Sequence, residues 1–320
     1  MHERIDPELA APLEGFLAFF GGGIDLHDIG ATRALQARMR EALQDQLPVI
    51  EGVTSEDRHI PGPDDAPSVT VRIYQPAHRP NTLPALVWIH GGGYVLGSIE
   101  GDDHFVRQFV RDVPCVVVAP EYRLAPEHPF PAPLEDCYAA LRWLATHADE
   151  LGVDQQRIAI GGASAGGGLA AGLALLARDR GEVNLVFQLL IYPMIDDRNV
   201  AQASESAPDT LLWTRENNLI GWRSYLGREP GGDDVSPYAA ALRATDLAGL
   251  PPAYIPVGDL DLFLHENIAY AQRLLDAGVP TELHVYPGAY HGFDIFAPTA
   301  DVAQCFIADR NHIVQRVLHG

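Results

Sequence analysis

The chain has 320 residues, a formal net charge of −21 at pH 7 and apolar side chains at 47% of its positions. This composition is ordinary for a soluble globular protein, and the length leaves room for a large core. The acidic balance argues against nucleic acid or an anionic membrane surface as a partner. All 22 basic residues are arginine, which excludes Schiff-base lysine chemistry, Walker-type phosphate loops and Ser-x-x-Lys hydrolase sites.

No targeting or metal-binding pattern is present in the sequence. Its first residues lack the charged-then-apolar order of a signal peptide, and no apolar run approaches the roughly 20 residues that span a bilayer. The three cysteines are odd in number and lack metal-ligand spacing, and no His-Glu-x-x-His motif occurs. We therefore expect a cytoplasmic protein that uses no cofactor and no metal.

Two helices are predicted before any strand. Apolar residues recur at helical spacing between Leu9 and Phe20, where three glycines interrupt the pattern, and a second amphipathic stretch runs from Thr32 to Gln46. These helices would either form part of a cap over a binding site or pack as ordinary N-terminal helices. The pattern leaves both interpretations open.

Strands and helices then alternate along the chain. Val69, Val71 and Ile73 alternate with polar or aromatic side chains and predict a half-buried strand. Continuous apolar runs, which are typical of parallel strands buried on both faces, lie at 84–90, 115–119, 157–160, 185–191, 253–257 and 281–286. Helical patterns fall at about 104–112, 134–148, 165–180, 266–277 and 299–317. This order predicts an α/β fold with a mostly parallel central sheet flanked by helices.

One interval, from Pro193 to Leu250, breaks this alternation with short helical pieces and a loose segment after Glu229. We interpret it as an insertion over the carboxyl end of the sheet, joined there by the N-terminal helices. The predicted organisation is a helical cap region of residues 1–50 and 194–250 and a catalytic core of residues 51–193 and 251–320.

The stretch Gly162-Ala163-Ser164-Ala165-Gly166 lies between a predicted strand and a predicted helix. This pattern is typical of a nucleophile elbow, a sharp turn that exposes a serine hydroxyl from a strained backbone. Glycines suit the turn because a side chain would clash where the chain reverses. The helix that begins after Ser164 would direct its N–H groups and the positive end of its dipole toward an oxyanion.

A glycine-rich segment, His90-Gly91-Gly92-Gly93-Tyr94, directly follows the apolar run 84–90. It is either an ordinary turn or a loop that presents N–H groups to a substrate oxyanion. Its position ahead of the elbow favours the second interpretation. The predicted oxyanion donors are the N–H groups of Gly92, Gly93 and Ala165.

A base and an acid are expected after the serine in chain order. Of the thirteen histidines, His291 follows the last predicted strand in a loop, whereas His284 lies within that strand. We predict His291 as the general base that activates the serine. The loop after 253–257 offers Asp259 and Asp261 as the acid that orients the histidine. Spacing does not separate them, and either could instead cap the next helix.

Four ordered motifs spread over about residues 65–315 resemble those of the hormone-sensitive-lipase-like α/β-hydrolases, the bacterial family IV carboxylesterases. They are the oxyanion motif His90–Ser98, the signature Glu121-Tyr-Arg-Leu-Ala-Pro-Glu127, the elbow around Ser164, and the acid motif Asp261–Glu266. Alignment of the acid motif at Asp261 brings Tyr270-Ala271 into register with a tyrosine-alanine pair of the family, which selects Asp261. The resemblance implies an α/β-hydrolase fold with a Ser164–His291–Asp261 triad.

Two departures from the family pattern occur. The family often has aspartate where this chain has Ala163, and its acid motif Asp-Pro-Leu-Arg-Asp-Glu reads Asp-Leu-Phe-Leu-His-Glu from Asp261. The resemblance implies serine-dependent hydrolysis of short- to medium-chain carboxylic esters through an acyl-enzyme, and it allows a homodimer. The alternatives are an amidase or arylformamidase with the same triad and a non-catalytic ligand-binding member, against which His291 argues.

The walls of a cap would set the acyl-chain limit of such an enzyme. The candidate pocket residues are aromatic or apolar: Phe16, Phe19, Phe20, Tyr94, Leu212 and Trp213. Each of them could equally pack the cap against the core.

Overall fold

The computed structural model describes residues 4–19, 22–43, 47–63, 66–79, 82–200 and 212–320 of the chain. Within these ranges one eight-stranded sheet has the order β1-β2-β4-β3-β5-β6-β7-β8. Strand β2 is antiparallel to both β1 and β4, and the other neighbours are parallel. The strands are β1 (Val53–Ile60), β2 (Val69–Pro76), β3 (Leu83–Ile89), β4 (Val116–Pro120), β5 (Val153–Ala163), β6 (Phe187–Ile191), β7 (Ala253–Gly258) and β8 (Thr281–Tyr286).

Helices cover both faces of this sheet, and two apolar clusters fill the spaces between helices and strands. The helices are α1 (Pro7–Phe19), α2 (Ile29–Leu43), α3 (Ile99–Asp112), α4 (Ala132–Thr146), α5 (Ala148–Leu151), α6 (Ala165–Arg180), α7 (Arg215–Leu226), α8 (Leu264–Asp276), α9 (Phe293–Phe296) and α10 (Asp301–His319). A short 3-10 helix spans Ala241–Arg243.

The prediction of a mostly parallel sheet between helical layers is confirmed. Every residue of β3, β4, β6 and β7 is buried, as expected for parallel strands covered on both faces. The parallel direction brings the carboxyl ends of β3, β5, β6, β7 and β8 to one edge of the sheet. The loops that follow these strands therefore meet there.

Two of the differences from the sequence-based expectation have a clear physical reason. Strand β1 was not predicted, because only its end residues Val53 and Ile60 are buried and the residues between them are polar. Helix α3 begins at Ile99 rather than near residue 104, because the Ser98 side chain accepts the Gly101 N–H and caps an otherwise polar first turn.

The N-terminal helices lie near the carboxyl edge of the sheet. The Leu9 carbonyl of α1 accepts the Tyr290 hydroxyl at 3.2 Å. Helix α2 is held by Arg33, whose Nε donates to the Val95 carbonyl at 2.8 Å. The segment that precedes α2 contacts α7, because the side-chain amide of Asn217 donates to the Ile24 carbonyl at 3.0 Å. These contacts are compatible with a cap, and the division of the chain into cap and core stays a prediction.

In the described part of the chain, no helix is both long enough and apolar enough to cross a membrane.

A buried ion pair anchors the segment that follows β4. Asp136 of α4 is 1% exposed. It accepts the backbone N–H of Arg123 at 2.9 Å and two guanidinium nitrogens at 2.8 Å. Such a pair is costly to break on one side, because the Arg123 side chain is only 25% exposed and its charge would stay incompletely solvated.

Replacement of Asp136 by asparagine should lower the free energy of unfolding by about 3 kcal/mol, since it leaves the Arg123 charge without its buried partner. Urea denaturation measures the change. Glu135→Gln is the matched control, because Glu135 pairs with Arg180 at a partly exposed position and should cost less than about 1 kcal/mol. Equal losses for the two variants would contradict this account.

Candidate active site

Ser164 stands at the sharp turn between β5 and α6. Its backbone has φ 56° and ψ −121°, a positive-φ conformation that non-glycine residues rarely adopt. The turn is held because the Ser164 N–H donates to the Ile191 carbonyl at 2.9 Å, and the Ser164 carbonyl accepts the Met194 N–H at 3.0 Å. A Cβ on Gly166 would lie 2.1 Å from the Ile89 carbonyl oxygen. The close approach of two backbone segments therefore requires glycine there, as the elbow pattern predicts.

His291 reaches Ser164 from the loop between β8 and α9. Its Nε2 lies 3.0 Å from Ser164 Oγ, and its Nδ1 lies 2.7 Å from Asp261 Oδ2. A carboxylate oxygen accepts, so Nδ1 carries the proton and Nε2 can accept the serine hydroxyl. The rings of Tyr192 and Phe263 pack against the imidazole in T-shaped geometry, at centroid distances of 4.7 and 5.1 Å. These contacts restrain the plane of the imidazole.

The structure separates the two aspartates that spacing left equivalent. The side chain of Asp261 is fully buried, and its second oxygen accepts the Phe263 N–H at 2.9 Å. Asp259 instead pairs with Arg4 at 2.7 Å and accepts the Gly288 N–H at 2.7 Å, with its side chain 24% exposed. The structure thus brings Asp261 to His291 and keeps Asp259 on an outer ion pair.

The expected oxyanion donors lie beside the elbow. A Cβ on Gly91 would be 3.5 Å from the Ser164 Cβ, so the glycine loop after β3 abuts the serine turn. Ala165 is the first residue of α6. Among the described residues, no backbone carbonyl accepts the N–H of Gly92, Gly93 or Ala165. No backbone acceptor would therefore compete with a ligand for these N–H groups.

The family signature supports this glycine loop from behind, a role that was not recognised from the sequence. The Tyr122 ring stacks on His90 at 4.2 Å, and its hydroxyl donates to the His90 carbonyl at 2.9 Å. The Ala125 N–H donates to the Tyr94 carbonyl at 3.0 Å. The signal was present in the motif itself, but its contact with the loop depends on the sheet order.

Tyr94 does not line an open pocket, contrary to the expectation. Its φ of 67° turns the side chain inward, where the ring stacks on Tyr225 at 4.0 Å and the hydroxyl donates to the Met194 carbonyl at 2.8 Å. The side chain is fully buried. Tyr94 therefore packs the base of the glycine loop.

The other expected pocket residues lie in different surroundings. The Trp213 indole lies against Gly93, because a Cβ on that glycine would be 2.1 Å from a ring carbon. Leu212 is 4% exposed within an apolar cluster, and Phe16 packs edge-on against Phe296 at 4.6 Å. Phe20 and the side chain of Phe19 lie outside the described residues.

Within the described ranges, no cluster of at least three histidine, cysteine, aspartate or glutamate side chains could hold a metal ion.

Comparison with known proteins agrees with this geometry. A family model with the description α/β hydrolase fold matches residues 86–295. Carboxylesterase NlhH of Mycobacterium tuberculosis is 36% identical over 99% of this chain and 97% of its own length. Esterase LipI of the same organism is 38% identical over 88% of each chain. The solved structure of a bacterial heroin esterase is 42% identical, with a TM-score of 0.92 over 100% of this chain and 99% of that one.

The chain therefore belongs to the α/β-hydrolases, in their hormone-sensitive-lipase-like branch.

His90, at the base of the glycine loop, is buried and neutral. Its Nδ1 lies 2.8 Å from the Gly91 carbonyl and carries the proton. Its Nε2 has no hydrogen-bond partner among the described residues. Burial lowers the pKa of His90 to about 4. The unfolded chain therefore binds a proton between the ordinary pKa of 6.5 and about 4 that the folded protein does not bind.

This difference makes the folded state less stable as pH falls from 6.5 to about 4. Above pH 6.5 the contribution of neutral His90 to the free energy of unfolding is fully present. In His90→Asn, the amide can still donate to the Gly91 carbonyl. Because the variant lacks this titrating group, the decrease in its free energy of unfolding on acidification should be smaller by roughly 3 kcal/mol. Urea denaturation across this pH range measures it. His128→Asn, at an exposed position, should behave like the parent. An unchanged pH dependence in His90→Asn would contradict the assignment.

Proposed function

We propose that this protein hydrolyses short- to medium-chain carboxylic esters through an acyl-enzyme, with Ser164 as nucleophile, His291 as general base and Asp261 as the orienting acid. The continuous contact from Ser164 Oγ through His291 to Asp261, at 3.0 and 2.7 Å, carries the proposal. Ester hydrolysis is further supported by relatives that bear the names of carboxylesterases.

In the first step, Ser164 Oγ attacks the ester carbonyl as its proton passes to His291 Nε2. The imidazolium that forms is stabilised by the Asp261 carboxylate. Negative charge develops on the carbonyl oxygen, where the N–H groups of Gly92, Gly93 and Ala165 would donate hydrogen bonds. Because these donors belong to a buttressed loop and a helix terminus, little reorganisation accompanies the reaction.

Collapse of the tetrahedral intermediate breaks the bond to the alcohol, which leaves with the proton held on His291. A water molecule then gives its proton to His291 and attacks the acyl-serine, and the acid is released as Ser164 regains its hydrogen. The same base thus serves both halves of the reaction.

The neighbourhood of the oxyanion donors supports a limit on the acyl chain. The Trp213 indole lies against Gly93, so an acyl group whose carbonyl oxygen reaches this loop meets an aromatic wall. We propose Trp213, with Leu212 and Phe16, as pocket residues of the ester site. A cytoplasmic location and a homodimer are further sequence-based predictions on which this proposal does not depend.

Ser164→Ala removes the nucleophile and should lower kcat for p-nitrophenyl butyrate by about 10⁴-fold or more. Circular dichroism and thermal unfolding of the variant check that the fold is kept. A fluorophosphonate should label the parent on the Ser164 peptide and leave the variant unlabelled. Substantial activity in a folded Ser164→Ala variant would refute the assignment of the nucleophile.

Replacement of Asp261 by asparagine should lower kcat by about 10⁴-fold, because the neutral amide no longer fixes the tautomer or stabilises the imidazolium. Asp259→Asn is the matched control two residues earlier and should change kcat by less than about threefold, since its ion pair lies at the surface. Steady-state kinetics on the same ester measure both. A larger loss in Asp259→Asn than in Asp261→Asn would exchange the roles of the two aspartates.

A further inference from the structure

A second buried carboxylate is connected to His291 through the side chain of Tyr192. It belongs to Asp294 in α9, which is 7% exposed. Its Oδ1 accepts the Tyr192 hydroxyl at 2.9 Å, and the Tyr192 ring lies against the His291 imidazole at a centroid distance of 4.7 Å and an interplanar angle of 65°. The hydrogen bond and the ring contact thus connect Asp294 to the expected base.

Tyr192 is held in an uncommon backbone conformation. Its φ is 34°, a value that costs energy for a residue with a side chain. Its N–H donates to the Pro256 carbonyl at 2.8 Å, and its side chain is almost wholly buried. The strained backbone directs the aromatic ring to His291 and the hydroxyl to Asp294. Because both contacts belong to one rigid side chain, the hydrogen bond to Asp294 restricts where the ring lies against His291.

Burial and the charges around Asp294 act on its carboxyl in opposite directions, and burial has the larger effect, so the pKa of Asp294 lies above its ordinary value. Burial raises the pKa of this carboxyl, while the Tyr192 hydroxyl, the Arg310 guanidinium and His291 lower it. Arg310 is 3% exposed and stacks on the ring of Phe105 at 4.9 Å. Its guanidinium donates to Asn311 Oδ1, and its positive charge interacts more strongly with Asp294 than with Asp112. The Arg310 charge therefore remains to offset that of Asp294.

One more carboxyl faces this group from α3. Asp102 accepts the Trp88 indole N–H at 2.8 Å, and burial, with the nearby negative charge of Asp294, raises the pKa of Asp102 to about 6. The two ring nitrogens of His291 itself contact Asp261 and Ser164. Asp294 is thus the carboxylate that is hydrogen-bonded to Tyr192, whereas Asp102 is hydrogen-bonded to Trp88.

We propose that Asp294 is a positioning residue for His291: it holds Tyr192 against the imidazole, and its charge stabilises the imidazolium that forms during catalysis. This inference rests on the proposed roles of Ser164 and His291. In each half-reaction the proton moves between oxygen and His291 Nε2, and Asp294 remains ionised throughout. Its effect falls on the charged form of the base and therefore on kcat rather than on substrate binding.

The pH profile of kcat/KM for p-nitrophenyl butyrate tests the inference. In Asp294→Asn, loss of the negative charge leaves the imidazolium less stabilised, so the acid limb should move to lower pH by up to about one unit. At the optimum, kcat should fall by about tenfold with KM nearly unchanged. If Asp294→Asn does not fold, Asp294→Ser removes the same charge and carries the same expectation.

Tyr192→Phe is the matched control, because it keeps the ring and the Asp294 carboxylate but removes the hydrogen bond between them. Its acid limb should stay close to that of the parent. An unmoved acid limb in a folded charge-removing variant would overturn the inference, and so would equal shifts in Tyr192→Phe and Asp294→Asn. Absence of esterase activity in the parent would instead refute the proposed function itself, which keeps the two failures distinct.

Discussion

The hydrogen bond between His291 Nδ1 and Asp261 Oδ2, 2.7 Å long, is the interaction on which the candidate site depends. It selects the tautomer whose Nε2 can accept the Ser164 hydroxyl. The bond can form because β5, β7 and β8 are parallel members of one sheet, so the loops after them meet at one edge. The Phe263 N–H holds the second oxygen of Asp261 and keeps the carboxylate from rotating away.

The sheet could be predicted from the sequence wherever burial is complete, because strands covered on both faces are continuous apolar runs. Strand β1 escaped prediction, since only Val53 and Ile60 at its ends are buried. The signature around Tyr122 was recognisable as a family motif, but its task was not. That task became visible only when the strand order brought Tyr122 under His90, where it holds the glycine loop by a hydrogen bond and a stacked ring.

Within the site, the predictable residues were those whose local motif is continuous in sequence, as at the elbow of Ser164. The choice between Asp259 and Asp261 could not come from spacing, because two residues of one turn point in different directions and only the turn geometry decides which meets the histidine. Asp294 carried no signal at all. Its relation to the base passes through Tyr192, which is 102 residues earlier in the chain, and such a contact exists only in the folded protein.

A covalent intermediate at Ser164 is the central claim. The direct measurement is rapid mixing of the native protein with p-nitrophenyl acetate, an acid quench during the first turnovers, and mass spectrometry of the peptides. We predict that the peptide containing Ser164 gains the mass of one acetyl group and loses it as water completes the turnover. Release of product by active protein with no acetylated peptide, or with acetylation at another residue, would contradict the claim.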